Sequence, residues 1–180
     1  TSVGQDDNDP ERYIGNIGQG GLGLPDRHIY DATNKPFQPL RHGYKKYMAS
    51  MLTLAGANNA DKRAAAVYAL EEKLAATHWT RIQNRDPQKT YNKMTVAQLQ
   101  KLAPSIDWKP WLAATGLGKE TAFNVNQPDA IKKAAALIKS QPLAVWKDYL
   151  TVHLLSSEGQ YLSKQFVDTW FEMYGKQLSG

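Results

Sequence analysis

The 180-residue sequence contains no cysteine, so a disulfide framework, a thiolate nucleophile and any cysteine-based metal site are all excluded. It has no apolar run long enough to cross a membrane and no recognisable signal peptide. Its basic surplus is mild, a formal net charge of +5 from 22 basic and 17 acidic residues, and no basic run exceeds the pairs Lys45-Lys46 and Lys132-Lys133. Nucleic-acid binding therefore rests on net charge alone, without the basic, aromatic-interleaved surface that such proteins build. Zinc-hydrolase spacing is missing too, because His28, His42, His78 and His153 are remote from one another and none opens H-E-x-x-H or H-x-x-E-H. His78 and His153 fall on helical faces beside apolar neighbours and read as hydrogen-bonded, half-buried side chains.

What the chain does have is an apolar share of 42% with five Trp, nine Tyr and four Phe, enough for a sizeable core in one domain. The stretch from Ser2 to Tyr30 stands apart, with six glycines between Gly4 and Gly23. That density calls for tight turns or close backbone approach. Asp6-Asp7-Asn8-Asp9-Pro10 reads as the turn of a small β-hairpin that continues through the alternating Tyr13–Ile17.

Long helical patterns follow. Phe37, Leu40, Tyr44, Tyr47, Met48, Met51, Leu52 and Ala55 recur at three- and four-residue steps and end at Gly56. A second helix is expected over about 59–79, with Ala64, Val67, Leu70, Leu74 and His78 packed, and Lys62, Arg63, Glu71, Glu72 and Lys73 on the wet side. Residues 80–93 read as a polar connecting loop. Thr95 caps a short helix over 96–102, with Gln98 placed to complete a capping box. A second short helix opens at Asp107 and presses two tryptophans, Trp108 and Trp111, onto the core. Ala122–Val125 is the one extended piece of the second half. Three helices complete the chain: one carrying Ile131, Ala134, Ala135, Leu137 and Ile138; one carrying Leu143, Trp146, Tyr149, Leu150, His153 and Leu154 that yields at Ser156-Ser157; and one over about 161–178. The last places Leu162, Phe166, Trp170, Tyr174 and Leu178 every four residues. The fold expected is mainly α, a single domain over 1–180 with six or seven crossing helices and a small N-terminal hairpin; residues 1–24 form a hairpin and glycine-rich linking segment within it.

Catalytic patterns fail in turn. Counting an EF-type loop from Asp6 places Glu11 and Ile17 where glycine and glutamate are needed, so solvated, mutually capping turn residues are the better reading of Asp6–Asp9. Gly18, Gly20, Gly21 and Gly23 lack both the G-K-S/T of a Walker loop and the βαβ frame of a dinucleotide site. Ser156-Ser157 has no nucleophile elbow, Glu71-Glu72 diverge around a helix, and Asp86 is a turn residue beside Arg85. The residues alone name no catalytic, cofactor-binding or metal-ligating group.

V-G-Q-D-D-N-D-P at Val3–Pro10 and G-G-L-G-L-P-D-R-H-I-Y at Gly20–Tyr30 resemble the neprilysin-like zinc endopeptidases, peptidase family M13. The resemblance continues in order through Leu70-Glu71 with Leu74-Ala75, R-D-P-Q-K-T-Y-N-K-M-T at Arg85–Thr95, V-N-Q-P-D at Val125–Asp129, P-L-x-x-W-K-x-Y-L at Pro142–Leu150, and Phe171–Gly175. It covers essentially the whole chain. It implies a helical domain that caps the catalytic one, the two enclosing a chamber that admits only peptides and small polypeptides. On that reading the zinc motif and its substrate-binding partners lie beyond Gly180, and the substrate-lining arginines lie before Thr1. No family metal ligand, base or stabiliser then falls on a residue of this chain. Both ends read as cut. The implied partner is the catalytic domain of the same polypeptide, with zinc there and none in this segment. The implied location is extracytoplasmic, a bacterial periplasm or secretion, in keeping with the absent cysteines. Activity is expected of the parent protein and not of this segment alone. The alternative is a stand-alone helical binding or scaffolding domain.

Overall fold

The computed structural model describes residues Thr1–Ser179. Chain order is β1 (Ser2–Asp6), β2 (Asp9–Ile17), α1 (Gln38–Leu54), α2 (Ala60–Thr77), α3 (Pro87–Thr90), β3 (Lys93–Thr95), α4 (Val96–Leu102), α5 (Trp108–Ala114), β4 (Ala122–Val125), α6 (Pro128–Ser140), α7 (Leu143–Glu158) and α8 (Lys164–Trp170). After α8 the helix carries on as a π-helix, Phe171–Gln177. The protein is mainly α, as its periodicities predict. Its contacts group into two compact units, one of residues 1–20 and 77–140, the other of 21–76 and 141–180.

The first unit holds a four-stranded sheet in the order β1-β2-β4-β3, where the sequence shows only a hairpin and one isolated extended piece. β1 and β2 pair antiparallel, and the register slips between Gln5 and Asp6. Pro10, which has no N–H to give to the ladder, falls in the slipped stretch, and the Gln5 side chain donates to its carbonyl at 2.6 Å. β2 runs parallel to β4, and β3 pairs antiparallel with β4. β3 begins at Lys93, the last residue of the stretch that reads as a polar loop, and α3 lies inside that stretch; the three residues of β3 are too short to show an alternation. Across Gly15 the Phe123 ring approaches so closely that a Cβ would sit 2.9 Å from it. Ile17, Phe123 and Val125 then meet Leu99, Ala103, Trp108, Leu112 and Ala135 of the helices in one core. The Thr95–Gln98 capping box forms in full. Of the two tryptophans, Trp108 is buried and donates to the Ala103 carbonyl, while Trp111 is partly exposed and stands edge-on against it.

The second unit is helical. α1 buries Tyr44, Tyr47, Met48, Met51 and Leu52, and also Arg41, whose Nη1 donates to the carbonyls of Ile29, Asp31 and Asn34. It ends in a Schellman turn: Gly56 takes a positive φ of 80°, its N–H reaches the Thr53 carbonyl and the Ala57 N–H the Leu52 carbonyl. α7 runs through Ser156-Ser157 and ends at Glu158, before the Gly159 cap; the Ser156 hydroxyl bonds the Val152 carbonyl four residues back and so does not cap the end. Its buried residues are Asp148, Tyr149 and Val152, whereas Leu143, Leu150 and Leu154 are exposed, which corrects the expected packed face. In the final helix a strict four-residue spacing drifts about 40° per step on an α-helix. The wider π turns absorb that drift from Phe171 onward.

Candidate functional site

The glycine-rich segment is anchored along its length by side chains distant in sequence, and a buried carboxylate anchors much of it. α2 buries Ala64, Val67, Tyr68, Leu70, Leu74 and Ala75, and at the centre of that stripe stands Glu71, with no exposed surface. This corrects its assignment to the wet face. The spacing 64, 67, 71, 74 places position 71 on the packed side, and only its charge argued otherwise.

Burying a carboxylate is costly unless its oxygens are filled, and here both are. Oε1 receives the Tyr44 hydroxyl at 2.9 Å and His153 Nε2 at 2.8 Å. Oε2 receives the Tyr30 hydroxyl at 2.5 Å and the Gly23 N–H at 3.2 Å. Tyr30 accepts the Leu24 N–H at 3.0 Å, so its own hydrogen points at Glu71. Burial first, and then the facing carboxylate, push the Tyr30 and Tyr44 phenols far above their ordinary range, so both remain donors.

The result is a rigid backbone. Tyr149 donates to the Gly21 carbonyl at 2.7 Å, and its ring lies 4.2 Å from the His153 ring. Gly21 has a φ of +87°, and a Cβ on Gly23 would fall 1.7 Å from the Tyr44 oxygen. Both positions therefore require glycine, one for its backbone angle and the other for space. Residues 18–20 are held within the first unit. Gln19 exchanges two side-chain hydrogen bonds with the Trp79 backbone, its N–H donates to Gln127 Oε1 at 2.9 Å, and His78 Nε2 lies 3.1 Å from the Gly20 carbonyl. Gln127 in turn donates to Asn84 at 3.0 Å. The V-N-Q-P-D stretch thus contributes an amide that steadies the glycine segment, a role no spacing rule reveals.

The other candidates have structural partners. Asp6 accepts from Lys93 Nζ at 2.7 Å, the Tyr91 hydroxyl at 2.7 Å and the Asn8 N–H at 3.1 Å. Those bonds hold its carboxyl down at about 2. The ammonium of Lys93 stands where a cation at the acidic turn would stand. Asp86 caps α3 through the Gln88 and Lys89 N–H groups and pairs with Lys89 rather than Arg85. His28 bonds Asp26 at 2.6 Å. His42 lies exposed on α1. A cleft of about 590 Å³ along α1 and α8, lined by Lys46, Asp61 and Asp168 among others, presents no convergent nucleophile or metal-donor set.

The donor chemistry does not fit zinc. Glu71 and His153 touch directly, and the remaining positions around Glu71 are filled by phenol and amide hydrogens, which repel a cation. No three His, Cys, Asp or Glu side chains converge among the described residues. No described helix is long and apolar enough to cross a membrane.

With this geometry in hand, comparison with known proteins identifies the class. The chain belongs to peptidase family M13: the model of that family's N-terminal region matches residues 1–180. It is 30% identical to rat endothelin-converting enzyme-like 1 over 185 residues, covering 99% of this chain and 24% of the relative. It is 33% identical to Drosophila melanogaster neprilysin-3, covering 94% of this chain and 23% of that protein. Among solved structures it superposes on Mycobacterium tuberculosis zinc metalloprotease Zmp1 in its open state with a TM-score of 0.93 at 32% identity, covering 99% of this chain and 28% of that one. The inhibitor complex of Zmp1 gives 0.90. The chain thus spans about a quarter of the length of these relatives.

Proposed function

We propose that these 180 residues are part of the helical, chamber-capping portion of a zinc-dependent endopeptidase that hydrolyses peptides and small polypeptides. The family match along the whole chain, to relatives about four times as long, carries this reading. Its role is steric: the segment helps to wall off the space in which peptides are cut and keeps large folded proteins out. Residues 1–24 serve as a hairpin and glycine-rich linking segment, and a rigid Gly21–Leu24 backbone suits a wall better than a moving lid. No catalytic, cofactor-binding or metal-ligating residue is assigned within the segment; the zinc and the peptide-cutting groups belong to a catalytic domain of the same polypeptide. The parent protein works outside the cytoplasm, in a periplasm or after secretion.

The test is to isolate the parent reading frame and assay it beside the 180-residue chain. The parent should cleave short peptides, lose that activity to a zinc chelator, regain it with zinc, and spare a folded protein that shares the cleavable sequence. The chain alone should cleave nothing. Metal-dependent hydrolysis by the purified chain, or a parent without zinc-dependent peptidase activity, would overturn the reading, and cell fractionation checks the location.

A further inference from the structure

α7 carries two apolar faces. One holds Tyr149 and Val152 and is buried within the second unit. On the other stand Leu143, Leu150 and Leu154, which are 70%, 63% and 62% exposed. At 100° per residue these three leucines fall within about 40° of one another, opposite Val152, along about 16 Å of helix. A helix that is apolar on opposite sides is built to be buried from both. The intervals of seven and four residues draw a narrow seam, the width that a single packed helix covers, rather than the broad face of a sheet. Lys147 interrupts the seam, and among the described residues no carboxylate pairs with it, unlike Lys164 and Lys176, which each have an acid four residues away.

We infer that this seam receives an amphipathic helix from the part of the parent M13 polypeptide outside these 180 residues, with apolar residues at heptad spacing and a carboxylate set against Lys147. The inference rests on the reading that this chain is a quarter of a longer protein, which the lengths of its relatives support. A second copy of the chain would have to pair antiparallel, Lys147 against Glu158 of the other copy, and would cover the seam only at concentrations that support association, whereas the rest of the polypeptide covers it at every concentration.

The absence of cysteine makes the test direct. Leu150→Cys and Leu154→Cys are introduced singly into the intact parent protein, with Lys62→Cys, exposed on α2, as the reference site. Labelling by a soluble maleimide is followed at each site by peptide mass spectrometry. A covered seam makes positions 150 and 154 react at least about 100-fold more slowly than position 62 at every protein concentration, and the difference vanishes in guanidinium. Lys147→Glu, which sets like charges together, should speed labelling at 150. Labelling at 150 and 154 as fast as at 62 would overturn the inference, and so would protection that disappears on dilution, the mark of a second copy. A parent with zinc-dependent peptidase activity whose seam labels fast would sink this inference and leave the proposed function standing.

Discussion

Replacing Glu71 by leucine tests whether the carboxylate holds the glycine-rich segment or merely tolerates its burial. Leucine fills similar space but accepts nothing, so the Tyr30 and Tyr44 hydroxyls, the Gly23 N–H and His153 all lose their acceptor. The Tyr30 and Tyr44 hydroxyls, left buried and unsatisfied, cost about 1–3 kcal/mol each, and the part-buried Gly23 N–H and His153 add less, so the total is about 4 kcal/mol. For a chain of this size that is a fall of about 8–16 °C in Tm. Glu71→Gln discriminates further. An amide keeps one acceptor oxygen, which should face the Gly23 N–H and Tyr30, the two donors that cannot adjust. Its NH2 then meets Tyr44 and His153, whose hydroxyl rotor and second tautomer allow them to accept. The glutamine protein should therefore lose only about 1–3 kcal/mol. Urea unfolding monitored by near-ultraviolet circular dichroism, which reads the tyrosine cluster, gives the three midpoints in the order wild type, glutamine, leucine. A leucine protein as stable as the wild type would refute the reasoning and place Glu71 among buried charges that an apolar side chain replaces without loss.

Other outcomes follow from the same contacts. Asp6 titrates at about 2 when folded, below its ordinary 3.8, so its contribution is fully present above pH 4 and is lost as pH falls through 2; stability measured against pH should decline across that window, and Asp6→Asn should lower stability at neutral pH while flattening the acid limb. Gly23→Ala forces a Cβ against Tyr44 and should cost about 1–3 kcal/mol, whereas Gly20→Ala, where a Cβ meets nothing, should stay within about 0.5 kcal/mol of wild type; paired thermal melts decide. Thr95→Ala removes the capping box of α4 and should cost about 1 kcal/mol, read from the urea midpoint.

Most of the helices are legible because each buries one stripe, and the 3.6-residue period survives in α1, in α2 and in the part of α6 around Ala135, although Ile138, expected in the α6 stripe, is exposed. The capped start of α4 and the extended Ala122–Val125 are legible from local chemistry. Features decided by distant partners are not. β3 exists because β4 lies beside it, and three residues carry no pattern of their own. Leu143, Leu150 and Leu154 look like core because hydrophobicity is visible in sequence, while the side on which a helix finds its partner is not. Glu71 shows the converse: its place in the stripe pointed inward, its charge pointed outward, and the deciding groups, Tyr30 and His153, lie 41 and 82 residues away.

The glycines carry a signal that the structure bears out. A run with Gly18, Gly20, Gly21 and Gly23 calls for close backbone approach, although glycine also widens the conformations open to an unfolded chain. In the folded protein Gly21 and Gly23 are where tyrosines press hardest on the backbone, and the absent Cβ is what lets Tyr149 reach the Gly21 carbonyl and Tyr44 sit beside Gly23 on its way to Glu71. Gly21 thus exchanges conformational entropy for a hydrogen bond from the Tyr149 hydroxyl, and Gly23 for one to the Glu71 carboxylate. The exchange favours order only while Glu71 holds Tyr30 and Tyr44 in place. Loosening of this segment should therefore accompany damage to the carboxylate and not precede it: amide exchange at Gly23 and Leu24 should rise in Glu71→Leu under conditions where α1 and α2 remain protected. Fast exchange at those two amides in the wild-type protein would mean that the segment is slack after all.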